Sequence, residues 1–176
     1  FISALTNRKK TEHKDYNAVF WFSLLMGISL YLLLYISAPL IADFYAQPEL
    51  TNLARLSFLG FLISSTNAAP RAFLFKHLKT KENAIISFLS LTISGIVGIT
   101  LAANGFAYWG IAIQSIAYTL STTIFSYYFS GWCPTWKIDF TPIKVLIGYS
   151  SKLIVTHTFH IINANLFSVL LGKFYT

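Results

Sequence analysis

Residues Val145 to Leu171 read VLIGYSSKLIVTHTFHIINANLFSVLL. A helix rising about 1.5 Å per residue needs about 20 residues to cross a hydrocarbon core of about 30 Å, and this run supplies them. It also carries Lys152, His157, His160, Asn163 and Asn165. A charged side chain at the middle of a bilayer costs about 2.5–3.5 kcal/mol even on the lenient insertion scale. At about 100° per residue from Lys152, Asn163 falls near 20°, Thr156 near 40° and His160 near 80°. Phe159 and Phe167 share that side, while Val155, Ile162, Leu166 and Val169 gather on a separate aliphatic side, between about 260° and 320°. The run is therefore expected to be a helix whose polar, aromatic face meets a cavity or a neighbouring helix.

The whole chain agrees with a membrane setting. Of its residues 55% are hydrophobic, 17% aromatic and 11% charged, and the mean hydropathy is +0.61. Soluble domains carry about 25% charged residues. The sequence opens on Phe1, and Phe1 to Leu5 resembles the tail of an apolar segment, so a piece of a longer protein is expected. A lone cysteine, Cys133, allows no internal disulfide and no cysteine metal cluster. The net charge of +7 would suit nucleic acid, but the basic residues lie between apolar runs, where topology signals lie. No nucleic-acid partner is expected.

Four further spans precede the last. A polar segment, Asn7–Asp15, leads into one at about Val19–Leu40. The loop with Asp43, Gln47, Pro48 and Glu49 separates it from a second at about Leu53–Phe75, which holds Asn67 and Pro70. Proline removes a backbone donor and kinks or ends a helix. After Lys76, Lys79 and Lys81 comes a span at about Ala84–Ala103, stopped by Asn104-Gly105, a turn pair. The next, about Tyr108–Phe129, carries Ser, Thr and Ala that permit close helix approach. Residues 131–142 then form a mostly polar linker. The division predicted is 1–130, the rest of an N-terminal helical lobe; 131–142, a cytoplasmic linker between lobes; and 143–176, the first helix of a C-terminal lobe.

Lysine and arginine apportion by side. Arg8, Lys9, Lys10 and Lys14 precede the first complete span; Arg71, Lys76, Lys79 and Lys81 follow the second; Lys137 and Lys144 precede the last. Only Arg55 and Lys173 fall on the other side. The excess of basic residues marks cytoplasmic loops, which places the Asp43 and Asn104 loops outside.

Catalytic and metal signals are weak. His157 and His160 share a helix face, but zinc needs three or four ligands and that span has no carboxylate. Gly148-Tyr149-Ser150-Ser151 lacks the second glycine and the preceding strand of a nucleophile elbow. No phosphate-cradling glycine loop occurs. The chain is expected not to be an enzyme and to hold no metal or cofactor. The basic-aromatic pattern of Arg71–Lys81 suits an interfacial anchor.

Several segments carry a family resemblance. Ala38-Pro-Leu-Ile-Ala-Asp-Phe-Tyr45, then Gln47-Pro-Glu-Leu50 and Leu53-x-Arg55-Leu56, resemble the polysaccharide-exporter (Wzx-type) branch of the multidrug/oligosaccharidyl-lipid/polysaccharide superfamily. So do Pro70-Arg-Ala-Phe-Leu74 with Lys76 and Leu78-Lys79, Gly105-Phe-Ala-x-Trp109-Gly with Gln114, and Asn163-x-Asn165 leading to Leu171-Gly-Lys173-Phe. The family commonly has Asp after an Asn in its seventh span, where this chain has Leu166 after Asn165. The resemblance implies an all-α polytopic membrane protein, here about five transmembrane helices (the third to seventh) of a two-lobed transporter of twelve to fourteen. It implies a flippase for lipid-linked oligosaccharide, carried on undecaprenyl pyrophosphate, in the bacterial cytoplasmic membrane, working among other polysaccharide assembly proteins and membrane lipid. Lys152, Thr156, His160 and Asn163 would then line the central cavity and bind substrate. A multidrug-type antiporter would need carboxylates buried in the spans, and none is expected here. A membrane enzyme acting on lipid-linked sugars would need large outer loops, and these are short.

Overall fold

Glu12 closes the polar segment and helix α1, His13–Phe44, begins directly after it. Asp15 in the first turn reaches back, and its Oδ2 accepts the Glu12 N–H at 2.9 Å. The Asp15 N–H in turn donates to the Glu12 carbonyl at 3.0 Å. A carboxylate here also meets the positive end of the helix dipole. Glu12 pairs with Lys14 at 3.0 Å in the open, and that hydrogen bond holds the ammonium pKa above its ordinary value. The computed structural model describes Leu5, residues 11–44 and 47–136, and Asp139.

Four more helices follow: α2, Leu50–Thr66; α3, Ala68–Lys76; α4, Thr80–Ala103; and α5, Ala107–Ser130. The all-α expectation holds, with no strand among the described residues. Two boundaries differ from the sequence reading. Helix α1 starts before Val19 and runs through Pro39 to Phe44. A proline forfeits one backbone bond, whereas leaving the helix in an apolar medium would strand many more. The span read as about Leu53–Phe75 is two helices, broken at Asn67. Helices α1 and α4 are long and apolar enough to cross a membrane. Helix α5 matches the 24 residues of α4 but is richer in Ser and Tyr.

The two turns that flank α4 show one device built from different residues. After α4 the Phe106 N–H donates to Leu101 O at 3.0 Å and the Gly105 N–H to Ala102 O at 3.1 Å, with Gly105 at φ 82°. After α3 the Lys79 N–H donates to Leu74 O at 3.0 Å and the Leu78 N–H to Phe75 O at 3.2 Å, with Leu78 at φ 51°. Both are Schellman caps, which need a left-handed residue just past the helix. Glycine takes that conformation freely; leucine does so under strain.

The helices pack as α1 against α2, α2 against α5 and α5 against α4, while α3 lies across one end and touches α1, α5 and α4. Small residues set the spacing. A side chain at Gly27 of α1 would collide with Ser65 of α2, and Gly110 lies 3.4 Å from the Leu101 Cβ if given a Cβ of its own. Ser90 and Ser94 of α4 and Thr123 and Ser126 of α5 are buried. Such residues let backbones approach where lipid supplies no hydrophobic drive.

Burial is uneven. Leu5, Tyr16, Ala18, Val19, Phe20, Ala69, Ala72 and Trp132 form the core cluster, all near the end where α3 lies. Further along, Ile36, Leu40, Phe88, Leu91, Ile99, Ile111 and Ile124 are each more than half exposed, an arrangement suited to lipid or to further helices rather than to water.

Contacts sort the chain ends into two groups. At one end Tyr16 packs edge-on against Phe73, Lys79 Nζ donates to Phe129 O, and Trp21 reaches Thr135. At the other, Tyr108 donates to Glu49 and Arg55 lies over Tyr35. The start of α1 and the basic turn after α3 thus share an end with the start of the 131–142 segment, as alternating spans require.

Candidate functional site: a broken helix beside an open groove

Pro70 has no N–H to give to the carbonyl four residues back, which belongs to Thr66. The Tyr127 hydroxyl, from α5, donates to Thr66 O at 2.8 Å instead. Pro70 itself is fully buried. The helix resumes at once, since the Arg71 N–H donates to Asn67 O at 3.1 Å. Asn67 stands between the two helices, its N–H bound to Ser64 O at 3.1 Å and its Oδ1 buried without a hydrogen-bond partner. The break is therefore stitched on the backbone side and left open on the side chain.

A groove of about 290 Å³ opens beside it, lined by Phe22, Met26, Gly27, Phe61, Ser64 and Ser65 among others. The walls are mostly apolar. Ser65 Oγ is spent on Leu62 O at 2.7 Å. Chemically the groove can hold an acyl or isoprenoid chain or another helix; it has no charged group.

Below the break, aromatic rings tie three segments together. Trp132 is buried, stacks on Tyr127 at 6.4 Å and lies 5.7 Å from His13. Residues 131–135 form a strap that returns to α1: the Trp21 Nε1–H donates to Thr135 O at 2.9 Å, and the Thr135 N–H donates to Asn17 Oδ1 at 2.8 Å. Trp136 adds a ring contact to Trp21 at 5.5 Å.

The residues singled out by sequence, Lys152, Thr156, His160 and Asn163, with His157, lie outside the described residues. Of the sequence signals inside them, Pro70 and Asn67 prove to be the break. The partner hydroxyl of Tyr127 and the Gly27–Ser65 contact carried no local signal, because each joins residues far apart in sequence. One expectation is corrected. Asp15, read as part of a polar segment, is a carboxylate only 2% exposed inside α1. It serves the helix start by accepting the Glu12 N–H, a local role. Among the described residues no group of three metal-ligating side chains occurs.

Residues 1–176, the full sequence, match the family described as polysaccharide biosynthesis protein. The chain belongs to that family. It is 25% identical to the teichuronic acid biosynthesis protein TuaB of Bacillus subtilis (strain 168), over 99% of this chain and 36% of that protein. It is 22% identical to the succinoglycan biosynthesis transport protein ExoT of Rhizobium meliloti (strain 1021), over 84% of this chain and 30% of that protein. The chain thus spans about a third of the length of these curated relatives. No solved structure matches it. The resemblance read in the motifs agrees with the family, and the apolar helices with a membrane protein.

Proposed function

We propose that this chain is part of a flippase that moves lipid-linked oligosaccharide, carried on undecaprenyl pyrophosphate, from the inner to the outer leaflet of the bacterial cytoplasmic membrane. The observation that carries the reading is the family match along all of 1–176, with a relative named as a transport protein. The packing supports it: helices spaced by small residues, one of them broken at proline, can shift against each other without unpairing their backbones. On this reading the described helices belong to one lobe, residues 131–142 lead to the next, and the positive-inside assignment puts the α3 end in the cytoplasm. Lys152, Thr156, His160 and Asn163 line the cavity between lobes, the lysine toward the anionic head and the others toward sugar hydroxyls.

The test uses the full-length protein in a strain lacking its gene. Wild type restores polymer at the surface and clears lipid-linked repeat units from the inner leaflet. Lys152→Ala at normal expression impairs export, and Lys152→Arg largely preserves it. Full export by the alanine variant removes Lys152 from the site; surface polymer independent of the gene removes the flippase reading.

A further inference from the structure

Arg55 is the cation that topology leaves unexplained. It lies near the start of α2, at the end of the bundle poor in basic residues, where an excess of positive charge serves no topological purpose. Its guanidinium carbon sits 4.2 Å from the centre of the Tyr35 ring on α1. Its Nε is buried with no hydrogen-bond partner, and among the described residues it makes no ion pair. The nearby acid Glu49 accepts the Tyr108 hydroxyl at 2.5 Å. Cation–π contact orients a guanidinium but does not supply a counter-charge. A charge half removed from water is stable when an anion meets it.

We infer that Arg55 seats the phosphate of a phosphate-bearing lipid. The planar fork is held over Tyr35, leaving its terminal nitrogens to grip two phosphate oxygens at once, the geometry that distinguishes arginine from lysine. Among the described residues no carboxylate is paired with it. On the side of α1 that carries Tyr35, Leu32 and, one turn further in, Ile28 are exposed, a strip along which the lipid's hydrocarbon chain lies while its head reaches the guanidinium. A water-soluble phosphate would gain nothing from that strip. The lipid is either a membrane phospholipid or a polyprenyl phosphate of the kind that carries sugars. The inference rests on the membrane reading of α1 and α2 and not on translocation.

The experiment measures lipid retention by native mass spectrometry on the full-length protein. The probes are phosphatidylglycerol, a polyprenyl phosphate and, as neutral control, the matching polyprenol. Arg55→Gln is expected to weaken at least one phosphate lipid by about tenfold and to leave polyprenol retention unchanged. Loss of polyprenyl phosphate alone assigns the seat to the carrier lipid; equal loss of both phosphate lipids assigns it to headgroup phosphate in general. Arg55→Lys, which keeps the charge and loses the fork, should weaken the same lipid several-fold and serves where the glutamine variant does not reach the membrane. Unchanged retention in Arg55→Gln, or in Arg55→Lys where that variant stands in for it, overturns the seat. So does an equal loss of polyprenol, which would make Arg55 a packing residue. A full-length protein that binds phosphate lipid through Arg55 yet does not support export refutes the flippase and leaves the seat standing.

Discussion

Tyr127 on α5 supplies to the Thr66 carbonyl the hydrogen bond that Pro70 cannot, at 2.8 Å. A buried carbonyl left without a donor costs about 1–3 kcal/mol. Tyr127→Phe is therefore expected to destabilise the full-length protein by about that much in thermal unfolding. Pro70→Ala restores the backbone donor, so Tyr127→Phe should cost far less in that background. A double-mutant cycle with no coupling between the two positions would reject the substitution of one bond for the other.

Leu78 occupies a left-handed position that glycine fills at the equivalent turn after α4. Its side chain is 81% exposed, so little packing is lost on removal. Leu78→Gly should stabilise by about 1 kcal/mol, read as a higher Tm, because relief of strain exceeds the added freedom of the unfolded chain. Gly105→Ala should move Tm the other way.

Gly27 lets α1 lie against Ser65 of α2. Gly27→Leu is expected to cost about 1–3 kcal/mol by overpacking and to reduce the amount of folded protein in the membrane. Ser65→Gly should recover part of the loss. A leucine variant with wild-type Tm would mean the helices do not approach there.

Cys133 is exposed at the end of α5 and is the single cysteine of this sequence. In a full-length protein with no other accessible cysteine, a membrane-impermeant thiol reagent should label it from the cytoplasmic face only. Asn104→Cys, in a Cys133→Ser background, should label from the opposite face only. Labelling of both from one face would end the alternating arrangement.

Much of the helical layout was legible because it rests on local chemistry. The apolar runs, the Asn104-Gly105 turn and the Pro70 break each announce themselves within a few residues. The start of α1 was not read correctly, because Asp15 looks like loop polarity when its role is to accept the Glu12 N–H. Pro39 looked like an end for a similar reason, since its local cost was visible and the larger cost of unwinding in an apolar medium was not. Tyr127 could not be singled out, because nothing near it in sequence points to Thr66. The four polar residues of the last run lie outside the described residues.

The strap bound to Asn17 and Trp21 has a mechanical consequence. Although α5 is the last helix described, the chain does not depart from its tip: by Trp136 it has been carried across and fastened to the base of α1. Any pull or twist arriving from the remainder of the polypeptide is therefore delivered first to the helix at the start of the sequence. Helix α5 receives it through the backbone at Gly131 and through the ring contact of Trp132 with Tyr127, the same tyrosine that bridges the gap left by Pro70. The strap makes one lever of two helices that do not stand side by side.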